Sequence, residues 1–162
     1  MKHIIFAVVA PLLLLVACAQ AQSGKNPYYS QTDTKKLNVS NAEWKKILPG
    51  NVYNIAREEG TERAFTGQYV NNNQKGTYHC RVCGFALYSS QAKFESGTGW
   101  PSFYQPLTKN SVVEKTDSDG SRTEVECPRC GSHLGHVFND GPNPTGLRYC
   151  MNGNVLNFVA KK

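Results

Sequence analysis

Ser111-Val-Val-Glu-Lys-Thr-Asp-Ser-Asp-Gly-Ser-Arg-Thr-Glu-Val-Glu126 reads as two short strands, 111–116 and 122–126, joined by the turn Asp117-Ser118-Asp119-Gly120. Asp and Gly adopt the backbone angles of a tight reversal, and β-branched residues on either side favour a pleated ladder. The same punctuation recurs outward. Apolar runs at 133–138, 147–151 and 155–159 follow the hairpin, and runs at 77–79 and 85–88 precede it. The chain's 14 Gly and 8 Pro fall mostly between such runs rather than inside helical periods. The expectation is a mainly β domain, with two antiparallel sheets in a twisted sandwich or barrel-like arrangement.

Helix is confined to the region before the strands. Ser40-Asn41-Ala42-Glu43 has the form of a capping box, Trp44, Ile47 and Leu48 follow at helical spacing, and Pro49-Gly50 ends the turn. A second short helix is expected over 52–58, stopped by Gly60. At 162 residues and 40% hydrophobic content, the chain supports one modest core.

Residues 1–19 have a different character. Lys2, an apolar run over 4–16 and small residues at Ala17, Ala19 and Ala21 form an export signal shorter than the ~20 residues of a membrane-spanning helix. Leu15-Val16-Ala17-Cys18 resembles a bacterial lipobox, which would make Cys18 a lipidated membrane tether; cleavage after Ala19 or Ala21 would instead discard it. Residues 20–38 are polar and read as a flexible tether, leaving 39–162 as the folded domain. The expected location is the periplasm or cell surface, or the medium if Cys18 is removed.

The net charge of +6 is spread in pairs such as Lys35-Lys36 and Lys45-Lys46, without a basic block, so no nucleic-acid partner is expected. Nothing in the pattern requires more than a monomer.

Cys80-Arg81-Val82-Cys83-Gly84 and Cys127-Pro128-Arg129-Cys130-Gly131 are two C-x-x-C-G knuckles. Two thiolates at that spacing reach one tetrahedral ion, and the glycine permits the tight turn. Four sulfurs leave no open position, which points to one structural Zn²⁺. Two disulfides are the competing reading for an exported chain. The metal by itself implies no activity.

With these and Cys18 set aside, Cys150 is the one remaining thiol. It is either a buried bystander or reactive. On a strand, Arg148 and Asn152 share its face, placing a cation and an amide beside the sulfur, where the cation favours thiolate.

His133-Leu-Gly-His136-Val-Phe138, Asp140-Gly-Pro142, Gly146-Leu-Arg148-Tyr-Cys150-Met-Asn152 and Gly97-Thr98-Gly-Trp100-Pro-Ser-Phe103, with Lys93-Phe94 before the last, closely resemble the signature of methionine sulfoxide reductase B. Glu43-Trp44 through Gly60–Gly67 resembles the start of that family's domain, so the likeness spans about residues 40–160. It implies reduction of methionine-R-sulfoxide in oxidised proteins, with Cys150 as nucleophile passing to a sulfenic acid. It makes His136 the candidate proton donor, with His133, on the opposite face of a regular strand, as a supporting group. Asn152 would line the pocket with His136 and Arg148 at the polar end, Trp100 would pack on the substrate methyl group, and Phe138 would complete the apolar wall.

Many family members hold a resolving cysteine where this chain has Thr98. The implied reductant is therefore an exported thioredoxin-like dithiol acting directly on Cys150. A zinc-ribbon binding module and a peroxide-sensing thiol are the other functional classes; each explains one of these features.

Overall fold

The computed structural model describes residues 26–117 and 120–162. Its two helices are α1 (Asn41–Ile47) and α2 (Gly50–Glu58). The Ser40 side chain accepts a hydrogen bond from the Glu43 amide, supplying one of the partners a helix start lacks. Trp44 of α1 and Val52, Ile55 and Ala56 of α2 are buried, which fixes both helices to the β body.

Nine strands follow among the described residues: β1 (Gly76–Cys80), β2 (Ala86–Ser89), β3 (Lys93–Phe94), β4 (Ser102–Phe103), β5 (Val113–Thr116), β6 (Thr123–Glu126), β7 (His133–Phe138), β8 (Arg148–Met151) and β9 (Leu156–Ala160). They form two antiparallel sheets, ordered β2-β1-β9 and β3-β4-β8-β7-β6-β5. The fold is mainly β with short N-terminal helices, as the pattern of runs and turns predicts. β5 and β6 pair from Val113↔Glu126 to Thr116↔Thr123, and the Asp117 amide donates to the Arg122 carbonyl. Residues 118 and 119 at the tip of that turn lie outside the described residues.

The two sheets meet through aromatic rings. Tyr78 of β1 and Tyr88 of β2 both pack on Phe103 of β4, edge-on at 5.0 Å and stacked at 4.4 Å between centroids. All three are fully buried, each contributing roughly 2 kcal/mol by leaving water. The Tyr88 hydroxyl donates to Met151 Sδ in β8. This packing fixes the height of β8, and with it Cys150, relative to the first sheet.

The tether expectation for 20–38 fails for residues 26–38. That segment lies across both cysteine knuckles: Asn26 Nδ2 donates to the Val82 carbonyl, the Ser30 amide to Cys83 O, and the Leu37 amide to Arg129 O. Arg129, itself buried, donates to Tyr28 O and pairs with Asp33 at 2.9 Å, while Tyr28 packs edge-on against Trp44. Composition shows that this segment has little apolar surface to bury. It does not show that the knuckles present carbonyls and a guanidinium for its polar groups. The export signal and lipobox expected at residues 1–19 lie outside the described residues, as do 20–25. Among those described, no helix is long and apolar enough to cross a membrane.

Candidate active site and metal-binding knuckles

The two knuckles are built alike. In the first, the Gly84 amide donates to Cys80 O and the Cys80 amide to Phe85 O; in the second, the Gly131 amide donates to Cys127 O and the Cys127 amide to Ser132 O. Gly84 (φ 84°) and Gly131 (φ 64°) occupy left-handed backbone that a side chain would strain. One knuckle follows β1 and the other links β6 to β7, so their meeting ties the two sheets together. All four cysteines are buried, with their sulfurs within 4.8 Å of one another. Cys80–Cys130 and Cys83–Cys127 sulfurs lie 3.7 and 3.6 Å apart, far beyond a disulfide bond, and none of the four is in a disulfide. This is a donor set suited to a metal ion.

Cys150 lies in β8 between two strands. It faces Ser102 of β4 and His136 of β7 across the ladder. Thr98 Oγ1 is 3.9 Å from its sulfur and is held by Ser96, which also bonds Ser102. Trp100, His136, Phe138, Cys150 and Asn152, drawn from separate segments, line one pocket of about 120 Å³ with Thr61, Gly135 and Arg122.

The other two expected site residues stand behind this lining. Arg148 forms a two-pronged ion pair with Asp140 at 2.8 and 2.9 Å and lies 4.4 Å from the Phe138 ring centroid. It thus braces the aromatic wall while its charge still acts on the sulfur. His133 is buried, its Nδ1 2.7 Å from Glu124 Oε1. The expectation that His133 and His136 point to opposite faces is corrected. Glu126 pairs with His133 and Val125 with Gly135, so Leu134 is an extra residue in β7. The bulge reverses the alternation and leaves the two imidazoles in edge contact, 5.2 Å between centroids.

Burial pushes the Cys150 thiol above its ordinary value, outweighing the hydrogen bond from Thr98 and the charge of Arg148, which pull it down. Burial and Arg122 push His136 below its ordinary value, against Asp117, which lies 3.1 Å from His136 Nε2. Near neutrality both groups are therefore uncharged. Passing the thiol proton to the imidazole creates thiolate and imidazolium without changing the proton count, so the population of that pair is independent of pH between the two titrations.

The consequence is a plateau. For a reaction carried by this cross-strand pair, kcat/KM should stay flat from pH 6.5 to 9.0, the ordinary values from which the two groups move apart. It should fall at more acid pH as His136 and the thiol both hold protons, and at more alkaline pH as the shared proton is lost. Arg148→Met should move the alkaline limb higher. A rate that climbs steadily through the window would contradict this pairing.

Residues 48–160 match the SelR domain family. Over 125 residues the chain is 54% identical to the peptide methionine sulfoxide reductase MsrB of Leptospira interrogans, covering 76% of this chain and 95% of that protein. It is 55% identical over 124 residues to the MsrB of Thiobacillus denitrificans (75% and 94%), and 53% over 130 residues to that of Methanosarcina barkeri (79% and 92%). The chain belongs to the methionine sulfoxide reductase B family.

Residues that sequence reasoning gave no role hold this MsrB-family pocket in shape. Glu62, buried, accepts from the Gly153 and Asn154 amides through its two carboxylate oxygens. Its own amide donates to Asn152 Oδ1, and its carbonyl accepts from Trp100 Nε1 at 3.2 Å. One residue thus positions two pocket walls. Asp117 joins His136 to Arg122, which bonds it through Nε and Nη2. Asn152, read as a pocket group, also donates from Nδ2 to Leu134 O at the bulge. The 22 residues from Asn26 to Ile47 that begin the described structure precede the SelR match.

Proposed function

We propose that the protein is a peptide-methionine (R)-S-oxide reductase acting on oxidised proteins, with Cys150 as its nucleophile. The carrying observation is that the pocket joins a thiol, an aromatic wall of Trp100 and Phe138, and the polar side chains of His136 and Asn152. A methyl sulfoxide has those two faces, an apolar S-methyl and a polar S=O.

The Cys150 thiolate attacks the sulfoxide sulfur while His136, in its imidazolium form, gives a proton to the oxygen as negative charge grows there. Oxygen passes to the cysteine, which becomes sulfenic acid and is oxidised by two electrons; the substrate leaves as methionine. Asp117 orients His136, and His133, anchored on Glu124, supports it by ring contact. The low pKa of His136 makes its cation the stronger acid.

Regeneration needs a dithiol. One of its thiols attacks the sulfenic sulfur and water leaves; the second resolves the mixed disulfide and restores the Cys150 thiol. Thr98 beside the sulfur, and the engagement of the other four described cysteines in the knuckles, support an external thioredoxin-like reductant. After one equivalent of methionine-R-sulfoxide and no reductant, mass spectrometry should find one added oxygen on Cys150. An intramolecular disulfide involving Cys150 would overturn this.

Zn²⁺ is the ion best suited to Cys80, Cys83, Cys127 and Cys130. Four Zn–S bonds of ~2.3 Å in a tetrahedron give sulfur separations of about 3.8 Å, close to the two cross-knuckle distances of 3.7 and 3.6 Å. With four thiolates it would be structural and take no part in the reaction. The leader-like residues 1–19 support an exported enzyme, tethered if Cys18 carries lipid, whose reductant is exported too. Monomeric action suits a pocket built from one chain, and the scattered charge gives no reason for a nucleic-acid partner.

A further inference from the structure

Phe65 is the outlier among the large apolar side chains of the described residues. It is 71% exposed, whereas the other exposed ones among the described residues, Leu107, Val113 and Val159, reach only 39–43%. Its backbone is held at φ 65°, a region that costs a bulky residue on the order of 1 kcal/mol or more. Gly99 permits the arrangement. The Phe65 amide donates to Gly99 O at 2.8 Å, and a Cβ on Gly99 would lie 2.9 Å from the Phe65 ring. Gly99 in turn sits between Thr98, next to the Cys150 sulfur, and Trp100, a wall of the pocket. The loop carrying Phe65 begins at Thr61, which lines that pocket, and is anchored by the buried Glu62.

The pocket's 120 Å³ is well below the ~300 Å³ at which sites start to enclose a whole small ligand. It takes the sulfoxide end of one side chain. The rest of a protein substrate must lie outside the pocket, and Phe65, whose amide bonds the residue just before the pocket wall Trp100, offers an exposed apolar ring on a fixed backbone.

We propose that Phe65 is a specificity determinant that docks an apolar residue adjacent to methionine sulfoxide in an extended segment of the substrate protein. This rests on the reductase reading and adds the class of segment it favours. The ring loses water only when such a neighbour covers it, so its effect appears in peptide binding and not in the chemistry of the sulfur.

The test compares wild type and Phe65→Ala on three substrates: N-acetyl-methionine-R-sulfoxide, a peptide with Phe beside the sulfoxide, and the same peptide with Ser there. Phe65→Ala should lose about tenfold in kcat/KM on the Phe peptide, mostly through KM, and under about twofold on the acetylated amino acid. The Ser peptide should show little loss, and Phe65→Leu should retain most of the Phe-peptide rate. Equal losses on all three substrates would mean a structural role and overturn the proposal, as would an unchanged rate on the Phe peptide. Wild type failing on all three would overturn the reductase reading itself, and this with it.

Discussion

Cys150→Ser should lower dithiol-dependent reduction of methionine-R-sulfoxide by at least about 10³-fold while leaving the fold intact. The fold survives because the substitution keeps every backbone partner of β8, including the pairings of residue 150 with Ser102 and His136. A serine hydroxyl is also at home beside Thr98. The chemistry does not survive. The oxygen leaving the substrate must go to the nucleophile, which a sulfur accepts as sulfenic acid. A serine oxygen would have to become a hydroperoxide, and it is not ionised at any working pH. Unchanged circular dichroism with lost turnover checks the prediction. Substantial residual turnover would move the nucleophile elsewhere.

Cys127→Ser should act through stability. Cys127 links the end of β6 to the second knuckle, and Arg57 of α2 donates to the Cys130 and Gly131 carbonyls of that knuckle. Arg129 in the same knuckle reaches across to the Cys83 carbonyl of the first. Losing one sulfur of this donor set should therefore loosen the second knuckle's hold on α2, on the first knuckle and on the arm at 26–38 together. Structural four-thiolate sites contribute of order 10 kcal/mol of binding free energy to the folded state. A loss of even several kcal/mol lowers the melting temperature by about 10–20 °C for a chain of this size. Thermal melts with metal content measured on the same sample give the check; a variant that binds no metal yet melts with the wild type would refute the role.

What the sequence made legible was local. Each knuckle is a five-residue pattern, the β5–β6 hairpin carries its own turn, and Cys150 stood out because its sulfur had no assigned partner. Less local features were hidden. Glu62 meets Gly153 and Asn154 some ninety positions away, and nothing in Gly60-Thr61-Glu62-Arg63 marks that carboxylate as buried. The β7 bulge cannot be seen in His133-Leu134-Gly135-His136, because an extra residue is defined only against its partner strand. β3 and β4, two residues each, are too short to show an alternation and exist because β8 pairs with β4. The charge of Arg148, two positions from Cys150, acts on the sulfur, yet burial, which sequence does not reveal, outweighs it in setting the thiol's pKa.

The central claim is that this pocket reduces the R epimer of methionine sulfoxide through Cys150. Separated R and S epimers, each incubated with the metal-loaded protein and a strong dithiol, test it most directly. The R form should be converted to methionine and the S form left untouched. No conversion of the R form would contradict the account.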